Sequence, residues 1–272
     1  LYKYMSIETA VRLFDSMTLC FTPPHYFNDP FELLSAGQKH QAKLGRSGHN
    51  WVENHEYVRR LRIDTLVQSL TRTYSNPLMW AHYAENHSGI VIGFDVSRDS
   101  FSSKELNLIP AQEGAVIYSR TKPSGYAEWS PSLDPFFETP LEAYTYEAKQ
   151  RMFLYKQDSW AYEEEVRIVK SLIDGQNTKD PFDVGLRKGK DDYLYMELSS
   201  EDVTEVIFGM RTEAIFQQKK ASYPRSGDRT ISSINELRAL ISEKISIPNF
   251  IFAIPPDFEG QWDMTFERGW AR

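Results

Sequence analysis

Apolar and polar positions alternate and regroup along this chain in ways that mark its elements. Leu1-Tyr-Lys-Tyr4 reads as a short strand, and Ser6 then stands where a helix N-cap belongs, ahead of Ile7, Ala10, Val11, Phe14 and Met17 at helical spacing. Thr18-Leu-Cys-Phe-Thr22 turns extended again, and Pro23-Pro24 stops it. Asn28-Asp29-Pro30 is a turn signal among aromatics. After a basic, polar connection over 38–50, Trp51, Val58, Leu61, Leu66 and Leu70 predict one helical face, with 67–71 turning toward a strand. Asn76 caps a short helix with Pro77 in its first turn, closed by Gly89.

Strands follow at 90–94 and 115–118, with an irregular insertion between them, and 122–140 is the clearest loop. Beyond it, 141–157 predicts a helix carrying Ala148, Met152 and Tyr155, which leads into an extended, charged stretch at 160–169. A polar break at 174–192 precedes strands at 193–197 and 205–209, joined by a turn begun by Ser199 or Ser200. Helices near 211–222 and 233–245 and a strand at 247–254 complete the pattern. Strands and helices mix without strict alternation, so the expected class is α+β, a single domain with one main mixed sheet, flanking helices and long loop insertions.

The charged stretch is the most informative feature. On an extended strand Glu163, Glu165 and Arg167 share one face. Such a row is either a buried, mutually neutralising network or the polar lining of a cleft. As chemistry, one carboxylate of a Glu-x-Glu pair can stabilise an oxocarbenium-like centre while the other positions a nucleophile. Lys3, on a core strand, calls for a carboxylate or a bound phosphate, unless it sits at an exposed edge. A magnesium-dependent nuclease using Asp29, Glu32, Glu163 and Glu165 is a further possibility, although no spacing compels it and no metal is expected.

Composition narrows the classes. The 272 residues are 41% hydrophobic, 14% aromatic and 25% charged, as in globular proteins. The net charge of −7 argues against a broad phosphate-binding surface but leaves room for a local basic groove. A single cysteine, Cys20, removes any intramolecular disulfide framework and any cysteine-based zinc site, which fits a cytoplasmic location. No run is long and apolar enough to span a bilayer, so no membrane partner is expected. Phosphate-loop, dinucleotide and nucleophile-elbow glycine motifs do not occur.

Several segments together resemble the bacterial domain-of-unknown-function 2971 family. They are Leu1-Tyr-Lys-Tyr4, Phe27-Asn-Asp-Pro-Phe-Glu32, Ser69-Leu-Thr71, Met79-Trp-Ala-His-Tyr-Ala84, Gly89-Ile-Val-Ile-Gly-Phe94 and Trp160 to Ile168. The likeness runs to about Gly209 and leaves 210–272 as an extension. A weaker likeness is to the ADP-ribosyltransferase superfamily, whose nucleic-acid-modifying branches open with a Tyr-His-x-Thr-like strand, a short helix and a second strand. That likeness implies NAD as co-substrate, bound by Lys3, Tyr4, Tyr26, Asn28 and Arg167, with Tyr26 or Phe27 beside the nicotinamide. It makes Glu165 the catalytic glutamate and leaves Glu163 to orient an acceptor, a nucleic-acid base or a protein side chain. Lys3 departs from the pattern, since an ammonium replaces the flat imidazole those enzymes place there. The implied setting is phage defence or a toxin system. The contrasting expectation is a non-enzymatic ligand-binding or sensor domain with a structural network of Glu163, Glu165, Arg167 and Lys3.

Overall fold

A computed structural model describes residues 1–29, 63–121, 149–174, 177–189, 193–219, 221–226, 230–245, 249–254 and 264–269. Its strands, in chain order, begin with β1 Tyr2–Met5, β2 Thr18–Phe21, β3 Thr65–Thr71, β4 Ile90–Phe94, β5 Ile117–Ser119, β6 Tyr155–Gln157, β7 Glu165–Ser171, β8 Ile173–Asp174 and β9 Asn177–Thr178. They continue with β10 Arg187–Lys188, β11 Leu194–Glu197, β12 Val203–Phe208, β13 Tyr223–Pro224, β14 Thr230–Ile231, β15 Phe250–Ile254 and β16 Thr265–Gly269. Among the described residues seven of these make the main sheet, in the order β16-β15-β12-β4-β1-β3-β7. The β12–β15 pair is parallel and the others are antiparallel, so the sheet is mixed and the class is α+β.

Alternation along the strands gives the sheet two buried faces. Met5, Ile90, Ile92, Val206, Phe208, Leu66, Leu70 and Ile168 pack on one face with the helices Ile7–Ser16 and Ile234–Lys244. Tyr4, Val91, Ile207 and Ile251 face the other way, against Met79 and Trp80 of the helix Pro77–Tyr83. Both capping expectations hold: Ser6 accepts from the Thr9 amide, and Asn76 accepts from the amides of Leu78 and Met79.

Four expectations change. The helical face drawn through Leu66 and Leu70 belongs to β3, because Thr65 to Thr71 pair residue by residue with Ser171 to Glu165; Trp51, Val58 and Leu61 lie outside the described residues. The helix expected over 141–157 ends by Phe153 in its described part, and Tyr155–Gln157 pairs in parallel with β5 instead. The charged strand begins at Glu165: Asp158–Glu163 is a 3₁₀ turn, and Glu164 takes a left-handed conformation at φ 45° before β7 starts. Glu163 therefore does not share a strand face with Glu165 and Arg167. Finally, β16 pairs with β15 where no strand was expected. The polar tracts at 38–50 and 122–140 lie outside the described residues, as does Glu32. Among the described residues no helix is long and apolar enough to cross a membrane.

Candidate functional site

The site lies where β1 and β3 part. The two strands share one pair, Tyr2 with Thr71; further along, Val67 exchanges both backbone hydrogen bonds with Thr22, at 2.9 Å each. Between these points the Ser69 carbonyl accepts from Lys3 Nζ at 3.1 Å and from the side-chain amide of Gln68 at 3.1 Å. A cavity of about 220 Å³ opens at this parting. Lys3 and Tyr4 of β1, Tyr26 and Asn28 of the turn after β2, Glu163, and Glu165 and Arg167 of β7 all line it. Residues nominated from three separate stretches of sequence thus meet in one place.

The polar interior is built around two carboxylates. Glu165 is 5% exposed, and Arg167, 2% exposed, grips it in a fork, with Nε 2.8 Å from Oε1 and Nη2 3.0 Å from Oε2. Arg167 Nη1 donates to the Phe153 carbonyl at 2.7 Å, which fixes the fork from behind. Lys156 donates to both carboxylates, 2.5 Å to Glu163 Oε2 and 2.9 Å to Glu165 Oε2. Tyr83 donates its hydroxyl to the other oxygen of Glu163 at 2.5 Å. The local backbone explains how a 3₁₀ residue and a strand residue converge: the left-handed Glu164 ends the 3₁₀ turn between them, and the Glu165 amide donates to the Tyr118 hydroxyl at 2.8 Å.

These contacts set the charges. Burial pushes Glu165 upward, but the charge and hydrogen bonds of Arg167, then Lys156 and Ser69, outweigh it and hold the carboxyl down to about 2. Burial and the bond to Glu163 raise the Tyr83 phenol, which stays protonated as a donor. Burial lowers Lys3 to about 8, with Cys20 and Glu165 pulling weakly the other way. Aromatic faces complete the cage: Phe27 lies 5.3 Å from the Arg167 guanidinium carbon, and Trp160 lies 5.2 Å from Lys156 Nζ.

Sequence reasoning missed Lys156, Tyr83 and Tyr118 as site residues. Lys156 falls within the stretch predicted as a helix, 141–157; the signal available is its position seven residues before Glu163, across a turn-length gap. Tyr83 lies in the Met79-Trp-Ala-His-Tyr-Ala84 stretch, at the end of the helix Pro77–Tyr83. His82 bonds Tyr162 at 3.1 Å and His87 stacks on Trp80, so the two histidines serve separate neighbours. Asp29 lines the cavity, but among the described residues no group of three or more His, Cys, Asp or Glu is placed to hold a metal ion.

Residues 79–168 match the family described as Protein of unknown function (DUF2971). That supports the likeness drawn from the sequence, over a shorter span than 1–209. The matched segment includes Tyr83, Lys156, Glu163, Glu165 and Arg167 and stops short of Lys3, Tyr4, Tyr26 and Asn28. No curated protein and no solved structure matches the chain, and no comparison supports the likeness to ADP-ribosyltransferases.

Proposed function

We propose that the cavity binds the nicotinamide end of NAD and that Glu165 acts on the adjoining ribosyl carbon, as in an ADP-ribosyltransferase. The observation that carries this is the convergence on one cavity of Lys3, Tyr26, Asn28, Glu163, Glu165 and Arg167, which adjoin nowhere in the sequence as a group. At about 220 Å³ the open cavity is smaller than the roughly 300–1,000 Å³ of pockets for drug-sized ligands, so it takes a ring-sized part of the molecule and leaves the rest outside. In the reaction the ribosyl–nicotinamide bond breaks, nicotinamide leaves with the bonding pair, and Glu165, ionised at neutral pH, stabilises the developing positive charge. Glu163 orients the acceptor, whose nucleophilic atom forms the new bond and gives up its proton to solvent; water as acceptor gives hydrolysis. A nucleic-acid base or a protein side chain is the proposed acceptor, and a toxin or phage-defence protein in the bacterial cytoplasm is the proposed setting.

One observation favours a second reading. Both oxygens of Glu165 are already held by Arg167 and Lys156, as expected of a scaffold in a ligand-binding or sensor domain. Nicotinamide release from NAD separates the two. Under the transferase reading the wild type releases nicotinamide, and Glu165→Gln lowers the rate about 100-fold or more while near-ultraviolet circular dichroism stays native. Unchanged turnover in the variant removes Glu165 from the mechanism, and a wild type inert toward NAD across DNA, RNA and protein acceptors leaves the sensor reading.

A further inference from the structure

The cations and carboxylates of the cavity do not pair off evenly. Glu163 and Glu165 are taken by Lys156, Arg167 and Tyr83, whereas Lys3 makes no ion pair with any described residue. Its one hydrogen bond goes to the Ser69 carbonyl, and an ammonium has three protons to donate. Lys3 lines the cavity at the parting of β1 and β3, as does Ser69, whose carbonyl takes its one hydrogen bond, and the remaining donors of the ammonium are unused among the described residues. A desolvated cation whose one hydrogen-bond partner is neutral, and whose attraction to Glu165 does not make up for its burial, is costly to keep, and an incoming oxyanion would offset that cost. The lowering of Lys3 to about 8 is a symptom of the same desolvation, and it leaves the amine protonated at neutral pH.

We propose that Lys3 is the oxyanion-recognition group of this cavity, its ammonium taking a phosphate or carboxylate of the bound ligand. The proposal rests on the cavity being a ligand site, but not on any reaction occurring there. It narrows the ligand class to molecules that carry an anionic group within reach of a ring-sized moiety. Lys3 thereby does the opposite of Arg167: the guanidinium is spent inside the protein, and the ammonium is kept for the ligand.

Calorimetric titration of the full chain at low and high salt tests this, using ADP-ribose, inorganic pyrophosphate and nicotinate as anionic probes and adenosine and nicotinamide as neutral counterparts. At least one anion is expected to bind the wild type, to weaken as salt rises, and to bind Lys3→Met about tenfold or more weakly, with the neutral probes unaffected. Which anion binds separates a nucleotide phosphate, a free phosphate and a carboxylate as the source. Lys3→Met removes a desolvated charge and is expected to melt no lower than the wild type; Lys3→Gln, which keeps a side-chain N–H donor without the charge, serves the same measurement if the methionine chain does not fold. Equal anion affinity in the folded variant, or no anion bound by the wild type, overturns the proposal. A wild type that binds the anion but releases no nicotinamide from NAD removes the transferase reading and leaves this one standing. Turnover with anion affinity unchanged in Lys3→Met does the reverse.

Discussion

Arg167 is among the largest side chains buried almost completely in this protein, and its contacts define what its loss would do. Removing it strips Glu165 of a two-bond partner and frees the Phe153 carbonyl in the same step. Breaking a buried ion pair from one side costs roughly 3–5 kcal/mol, because the remaining charge is left without compensation. Arg167→Met is therefore expected to lower unfolding stability by about that amount in urea titration. A loss below about 1 kcal/mol would mean that Lys156 alone neutralises Glu165. The fork also explains why Glu165 stays ionised well into acid: a carboxyl depressed to about 2 contributes stability that is complete above the usual carboxylate range and disappears as pH falls from about 4.5 through 2.

At the level of elements, β7 is the outer strand of the main sheet, and its free edge is covered by the stretch from Ile109 to Val116. Ile109 exchanges backbone bonds with Val169, the Val116 amide donates to Glu165, and the Arg167 amide donates to Gly114. The last contact is so close that a Cβ on Gly114 would lie 1.8 Å from the Arg167 carbonyl oxygen. Gly114→Ala must push this cover off the strand that carries Glu165 and Arg167, so a lower melting temperature and weaker hydrogen-exchange protection at the Arg167 amide are expected. An unchanged protection pattern would mean that the cover does not hold the strand. The same region shows what the sequence reveals and what it hides. The helices capped by Ser6 and Asn76 were legible because a cap and an apolar stripe are local signals, and β4 because five consecutive buried residues leave little else. Glu163 was placed near Glu165 by strand periodicity, yet it arrives by a 3₁₀ turn and a left-handed Glu164, a conformation that side chains other than glycine adopt too rarely to be read from residue type. Lys156 was hidden because its partners are fixed by the parallel pairing of β5 with β6, a contact between distant stretches.

Across the whole molecule the buried lysines and tyrosines shape the alkaline limb of stability. Lys3 and Lys170 are both lowered by burial to about 8, and Lys170 has a single carbonyl partner, that of Leu106 at 3.2 Å. Between about 8 and 10.5 the unfolded chain holds more protons at these positions than the folded one, so stability rises with pH there. Above about 10 the sign reverses, because Tyr2, Tyr4 and Tyr83 are raised by burial and keep protons that the unfolded chain gives up. Urea midpoints are thus expected to climb from pH 8, peak below 10.5 and then fall, with a smaller climb in Lys170→Met. A flat profile across pH 8 to 10 would show that neither amine is desolvated in solution.

The position of β1 bears on the order in which the molecule can come into being. This four-residue strand stands mid-sheet between β4 and β3, while Glu165 lies at the start of the strand beyond β3. Synthesis at roughly 5–20 residues per second separates Met5 from Glu165 by on the order of ten seconds or more. Throughout that interval the growing chain holds Lys3 but neither glutamate, and β1 has no lasting partner until β3 and β4 have emerged. Whatever chemistry the cavity performs is silent on any nascent chain too short to have released Glu165, and begins only when the early and late parts of its polar lining close on each other.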